Sequence, residues 1–139
     1  MIIRVARGKE IHVGVINEVG VLARLTSFLV NHGINIEAIL GYATEVGQQA
    51  GILFISDNNV SAIEALTAYG FSEIRENDVL IVEVENKPGA LKNISESCAR
   101  NGINITYIYC TTCSSGCPAK LVLSTSDNDR ALAVLSGKE

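Results

Sequence analysis

The chain has 139 residues, of which 47% are hydrophobic and 19% charged, so it has enough apolar surface for a folded core. Its formal charge of −4 at pH 7 argues against the basic surface that nucleic-acid binding needs. No apolar run is long enough to span a membrane, and the first ten residues lack the pattern of a secretory signal. We therefore expect a cytoplasmic protein without nucleic-acid or membrane partners.

The sequence contains one pattern twice. A shift of 69 positions lays residues 10–66 over residues 79–135 without a gap. The run Gly-Ile-Asn-Ile at 33–36 recurs at 102–105, and four consecutive identities in register indicate an internal duplication.

Each half predicts the order strand, helix, strand, strand, helix. In the first half, alternating apolar residues at 11–15 indicate a strand, and Asn17 to Gly20 interrupt it. The 3.6-residue spacing of Leu22, Leu25 and Leu29 then predicts a helix that ends at Gly33. A hairpin with strands starting at 34 and at 52 follows, and residues 57–59 are placed to cap a second helix. The second half repeats these signals, with its second cap at 127–129.

A fourth strand is predicted at 71–75 in the first half, whereas the second half ends before reaching its equivalent. The same shift lays residues 2–7 over 71–76, so we expect the N-terminal strand to complete the second half. The units are then residues 10–76, and residues 77–139 completed by strand 1–9. The alternative is a tight hairpin at 7–9, which would pair the first strand with residues 11–15.

The first strand-to-helix loop reads Asn17-Glu18-Val19-Gly20-Val21-Leu22, and its copy reads Asn86-Lys87-Pro88-Gly89-Ala90-Leu91. With the Gly-Ile-Asn-Ile run, these loops resemble the ACT domain, a small-molecule regulatory module. The second copy matches the family pattern fully, and the first departs from it at Val19. The resemblance implies an α+β, ferredoxin-like fold: two βαββαβ units packed together, with antiparallel sheets and helices on one face.

The resemblance also implies two pseudosymmetric amino-acid sites between the two ACT units. In each, the loop Asn of one unit and the strand Asn of the other contact the ligand from opposite sides. The expected ligand-binding residues are those of the two loops and the two strand starts: Asn17, Gly20, Val21, Leu22, Asn35, Asn86, Pro88, Gly89, Ala90, Leu91 and Asn104.

Helix physics favours an anion at these loops, because the first amides of a helix lack partners and carry the positive end of its dipole. A purely structural alternative stays open. Asn before such a turn commonly satisfies the helix amides itself, and Asn35 or Asn104 can serve only to order a strand start.

Four cysteines divide into two groups. Cys98 falls on the apolar side of a predicted helix, where a thiol behaves as a small hydrophobe. Cys110, Cys113 and Cys117 crowd one predicted hairpin tip, where three thiolates suit zinc, an iron–sulfur cluster or a dithiol switch. Three ligands are one short of a closed metal site, so a surface hairpin without a cofactor is favoured.

The two histidines have structural interpretations, His12 on a strand and His32 at a helix end. No acid, base and nucleophile share a catalytic spacing, so no enzyme is expected. The sequence predicts a non-enzymatic regulatory protein that senses a free amino acid and acts allosterically on a regulated enzyme or as a homodimer. The alternatives are a metal- or thiol-redox protein that uses the hairpin cysteines, and a ligand-free structural adaptor.

Overall fold

The computed structural model describes residues 1–137. The chain divides into two compact units. The first unit is Lys9–Asn77, and the second unit combines Met1–Gly8 with the chain from Asp78 onward. Within this part of the chain, no helix is long and apolar enough to cross a membrane.

The first unit has four strands and two helices. Its elements are the later part of β1 (Ile2–Ile16), α1 (Val21–Asn31), β2 (Ile36–Tyr42), β3 (Gln49–Ser56), α2 (Asn59–Ala68) and the start of β4 (Glu73–Val84). The strands lie in the order β2-β3-β1-β4. β3 is antiparallel to both of its neighbours, with Ile11 opposite Phe54 and Leu40 opposite Leu53. This is the predicted βαββαβ arrangement.

The second unit repeats this arrangement. It contains the start of β1, the rest of β4, α3 (Ala90–Arg100), β5 (Ile105–Thr111), β6 (Ala119–Thr125) and α4 (Asn128–Leu135). The strand order is β1-β4-β6-β5, and β6 is antiparallel to β4 and to β5.

The N-terminal strand completes the second unit. The Glu85 amide donates a 2.9 Å hydrogen bond to the Met1 carbonyl, and Gly8 lies beside Ile81. The alternative hairpin at 7–9 is wrong. Such a turn needs a positive φ, whereas Gly8 has none and β1 runs through it without interruption.

Each unit packs its helices on one face of its sheet. In the first unit, Leu25 and Leu29 of α1 are buried with Phe54, and in the second Ile94 and Cys98 of α3 are buried with Leu80. Cys98 is 0% exposed, which confirms its predicted place in the core.

The helix caps are confirmed, but two apolar positions are not: Leu22 in α1, and its copy Leu91 in α3, which is 55% exposed. The Asn58 side chain accepts from the Ser61 amide at 3.1 Å, and Asp127 accepts from Arg130 at 3.0 Å. Leu22, predicted on the buried face of α1, is 50% exposed, because it lies about 100° around the helix from the Val21 position that continues the Leu25 and Leu29 stripe.

Candidate functional site

The loop of the second unit leaves the start of α3 without a side-chain cap. Gly89 occupies the N-cap position at φ 94°, a left-handed conformation that favours glycine, and no side chain of the described chain caps the helix there. The structural alternative in which Asn86 satisfies the helix amides is therefore wrong. The Ala90 amide donates to the Lys87 carbonyl at 3.3 Å, and the other first-turn amides of α3 lie at the positive end of the helix dipole without a side-chain cap.

Asn86 contacts the cysteine hairpin instead. Its Nδ2 donates a 3.3 Å hydrogen bond to the Cys113 carbonyl. Leu91, one residue into the helix, is 55% exposed on the same loop. The loop and the hairpin tip thus form one continuous surface, a neighbourhood that sequence spacing did not indicate.

Two cations pair with Glu85 at the start of the second loop. The Lys87 Nζ lies 2.9 Å from the Glu85 carboxylate, and the N-terminal ammonium lies 3.1 Å from it. These two cations, Lys87 first, lower the pKa of Glu85 below its ordinary value.

The first loop has the same backbone and different chemistry. Gly20 is the N-cap at φ 90°, again without a side-chain cap in the described chain, so Asn17 does not cap α1 either. The Asn17 backbone is joined to the β2–β3 turn by two 2.8 Å bonds, to the Gln48 carbonyl and from the Gly47 amide. Glu18 stands where the second loop has Lys87, pairs with Arg24 at 3.1 Å, and is followed by Val19, which is 99% exposed.

The strand asparagines lie at the far ends of their units' helices. The Asn35 amide donates to the Asp57 carboxylate at 3.0 Å, and the Asn104 amide donates to the Ser126 hydroxyl at 3.0 Å. Because α1 and α3 are 11 residues long, each separates its unit's loop from its strand Asn by about 16 Å. Within one unit, the structure does not bring the two predicted groups of ligand contacts together.

Two of the three hairpin cysteines form a pair. Cys113 and Cys117 are joined by a disulfide with a Cα separation of 5.8 Å. Cys110 is a free, exposed cysteine, and partial desolvation raises the pKa of its thiol. In the described residues no group of three or more His, Cys, Asp or Glu side chains can hold a metal ion. A three-thiolate site at this hairpin therefore requires the reduced form.

The histidines have local partners. A ring nitrogen of His32 lies 3.0 Å from the Phe28 carbonyl at the end of α1, as predicted for a helix terminus. His12 lies on β1, where partial burial and then the Arg75 charge lower the pKa of its imidazole. Neither histidine is placed beside the two loops.

Sequence comparison finds one kind of domain in both halves. Residues 9–67 match a family model described as the ACT domain, and residues 80–136 match one described as the AHAS small subunit-like ACT domain. Together these ranges cover most of the chain. No curated protein matches this sequence.

Solved structures share the fold. The protein BT0572 from Bacteroides thetaiotaomicron is 25% identical, with a TM-score of 0.85 over 96% of this chain and 90% of that one. The ligand-free regulatory subunit of aspartate kinase from Thermus thermophilus is 19% identical, with a TM-score of 0.63 over 96% and 95%. The corresponding regulatory subunit from Thermus flavus is also 19% identical, at 0.63 over 99% and 97%. At 19% identity the similarity concerns the fold alone.

Proposed function

Because the chain belongs to the ACT-domain family, we propose that it is a non-enzymatic regulatory protein that binds a free amino acid. Two ACT-type matches in one chain support this proposal. Solved proteins of the same fold include regulatory subunits of aspartate kinase, which is consistent with a regulatory role. The chemistry of the loops supplies the ligand class.

The second loop is the proposed main site. The carboxylate of the amino acid binds the uncapped amides at the start of α3, where the helix dipole and Lys87 favour an anion. The Asn86 Oδ1 accepts a hydrogen bond from the ammonium group of the ligand, and the exposed Leu91 contacts the apolar part of the ligand. The observation that carries the proposal is that the Asn86 side chain donates to the Cys113 carbonyl and that, in the described chain, no side chain caps the start of α3.

The first loop is the proposed weaker site. Its helix start is equally open, but Glu18 brings a negative charge to the position of Lys87, and Val19 replaces the rigid proline. An exposed carboxylate at a helix start competes with a ligand carboxylate for the same favourable potential. We infer that the bound state is transmitted to a regulated enzyme or to a second copy of the chain, in the cytoplasm.

A thermal-shift series with each of the twenty amino acids tests the proposal on the full chain. A ligand at 100 times its dissociation constant stabilises the folded state by about 2.7 kcal/mol, which is a readily measured shift in melting temperature. The matched probe is the carboxamide of whichever amino acid binds, because it keeps the ammonium group and loses the anion. We expect at least one amino acid to raise the melting temperature and its amide to have a much smaller effect.

Two outcomes contradict this function. If no amino acid shifts the transition, the ligand-free adaptor is the better description. If the amide stabilises as well as the acid, the helix start does not bind the carboxylate.

Thiol redox chemistry is the second candidate, favoured by the Cys113–Cys117 disulfide in contact with Asn86. Cytosolic disulfides are usually transient and catalytic or redox-sensing. Exchange with an external dithiol would reduce this bond to two thiols while the dithiol becomes a disulfide, so electrons and protons balance.

Alkylation with iodoacetamide and mass spectrometry test this candidate. Before reduction we expect only Cys110 to react. After dithiothreitol, Cys113 and Cys117 should react as well, and the buried Cys98 should stay unmodified until the chain unfolds. Zinc or iron that copurifies with the reduced chain, and is lost in a Cys110→Ser variant, would instead support a metal site at the hairpin.

A further inference from the structure

A groove of about 540 Å³ crosses the sheet of the first unit. It lies on the face opposite the helices, because His12 and Gly14 line it whereas the alternating Ile11 and Val13 belong to the helix-side core. Its volume falls in the range of small-molecule sites. The lining side chains that carry chemistry come from all four strands of the unit: His12, Tyr42, Gln49, Glu73 and Arg75.

Two glycines make room for the groove. A Cβ at position 51 would lie 2.5 Å from the Tyr42 ring, and one at position 14 would overlap the Glu73 carboxylate. The side chains of Tyr42 and Glu73 therefore pack directly against the glycine backbone of the sheet. The His12 and Tyr42 rings are 6.5 Å apart, so an aromatic wall and a carboxylate border the same depression.

The groove combines opposite charges that are not paired with each other. Glu73 and Arg75 are two positions apart on β4, which puts them on one face with their Cα atoms about 7 Å apart. Neither forms an ion pair with another described residue. Partial burial, and then the nearby Arg75 guanidinium, lower the pKa of the His12 imidazole, which favours the neutral ring with one donor and one acceptor.

The internal duplication shows that the fold does not require these side chains. The 69-residue shift gives the equivalent position in the second unit for each of them, and those positions are occupied by unrelated residues. His12 corresponds to Ile81, Tyr42 to Thr111, Gln49 to Pro118, Glu73 to Arg4 and Arg75 to Ala6. A polar, oppositely charged lining is thus present in one of two copies of the same sheet.

We propose that this groove is a second ligand site, specific for a small zwitterion of the α-amino-acid type. Arg75 binds the carboxylate, Glu73 accepts from the ammonium group, and His12 and the Tyr42 hydroxyl complete the polar contacts. The short Glu73–Arg75 spacing suits charges borne on one carbon atom better than the more widely separated termini of a peptide. The site is independent of the two loops and does not require that they bind anything.

NMR of the ¹⁵N-labelled full chain tests the groove directly, because the Gly14 and Gly51 amides report on its floor. Each of the twenty amino acids is added up to about 10 mM, ten times the 1 mM dissociation constant of a weak complex. We expect at least one to move both signals in a saturable way. Its carboxamide, its N-acetyl derivative and glycylglycine should move them much less, since each alters one charge or separates the two.

The second unit supplies the test substitutions. Arg75→Ala and His12→Ile introduce the residues of the equivalent positions, which the same sheet accommodates. Losing a charged hydrogen bond should weaken groove binding at least roughly tenfold in Arg75→Ala. Arg100→Ala, which removes an exposed arginine of α3, is the matched charge control and should leave it unchanged.

Asn86→Ala separates this proposal from the loop sites, because it should leave the Gly14 and Gly51 response intact. The proposal is overturned if no amino acid moves these two signals, if Arg75→Ala binds as well as the parent, or if glycylglycine binds more tightly than every free amino acid. Shifts confined to the loop amides would support the loop sites and refute the groove.

Discussion

The two strand-to-helix loops share a backbone and differ in nearly every side chain that a ligand would meet. Both place glycine in the left-handed region, at φ 90° and 94°, and both start a helix without a side-chain cap in the described chain. One presents Glu18 and an exposed Val19, whereas the other presents Lys87 and Pro88. The shared part is therefore geometric, and the affinity of each site depends on the side chains that differ.

The two loops also differ in the neighbouring segments that they contact. The Asn17 backbone is hydrogen-bonded to the β2–β3 turn, whereas the Asn86 side chain reaches the cysteine hairpin. Glu85, which pairs with Lys87 and the N-terminus, has an apolar counterpart in Ile16. Duplication has preserved the turn, and the two copies have diverged in electrostatics.

The largest loss of stability is expected from substitution of the glycine that the two loops share. Gly20→Ala and Gly89→Ala each force a Cβ into the left-handed region, which costs about 1–2 kcal/mol per residue. No neighbouring atom lies within 4 Å of the added carbon in either loop, so the cost is one of backbone strain and should be similar in both. Urea denaturation measures it. Gly41→Ala, at a strand glycine with open space and no positive φ, is the control. A Gly20→Ala variant as stable as Gly41→Ala would contradict the shared geometry.

Exchanging the third loop residue should change stability by less. Val19→Pro fixes a φ that the second loop already adopts before its glycine, and a compatible proline stabilises by about 0.4–1 kcal/mol through the unfolded state. The reverse change, Pro88→Val, should lose a similar amount. Calorimetric melting of both variants checks this reciprocity. Destabilisation by Val19→Pro would show that the two turns are less alike than their glycine caps indicate.

Exchanging the charges should alter ligand affinity with little effect on folding. Glu18→Lys should tighten amino-acid binding at the first loop, and Lys87→Glu should weaken it at the second, each by about two- to fivefold, since an exposed charge at a helix end contributes 0.3–1 kcal/mol. Titration calorimetry at low and high salt measures both. The effects should shrink as salt rises. Salt-independent changes would mean that contacts, not charge, separate the loops.

The smallest expected effect is the loss of stability at low pH through protonation of Glu85. The pKa of Glu85 is lowered from its ordinary value of 4.5, chiefly by Lys87, because the folded state favours the carboxylate. The stabilisation is therefore complete above pH 4.5 and is lost as the pH falls through the lowered value. An NMR titration of the Glu85 carboxyl should give a midpoint below 4.5, and Lys87→Ala should raise it. A midpoint unmoved by Lys87→Ala would mean that this pair does not form in solution.

Most of the fold could be predicted because hydrophobic periodicity and the internal repeat indicate its strands, its helices and their order. The alternation at 11–15, the helix stripe through Leu25 and Leu29, and the caps at Asn58 and Asp127 are local signals that agree with the global arrangement. Phasing the repeat also placed the N-terminal strand beside β4. Leu22 was misplaced because an apolar residue one position from a helix stripe looks periodic in a short window.

The candidate sites were less accessible to sequence reasoning because they depend on contacts between distant segments. Asn86 and the Cys113 carbonyl are 27 residues apart and meet only once β4, β5 and β6 have paired. The groove residues lie on strands far apart in the chain, and none forms a motif by spacing. The one sequence signal for the groove was that its residues are not repeated at the equivalent positions of the second half.

Calorimetry with the amino acid that gives the largest thermal shift tests the central claim, that the second loop is the stronger site. The parent chain, Asn86→Ala and Asn17→Ala are titrated under identical conditions. Losing a hydrogen bond to a charged ammonium should weaken binding at least roughly tenfold in Asn86→Ala, with a smaller change in Asn17→Ala. Equal losses in the two variants, or a larger loss in Asn17→Ala, would contradict the account.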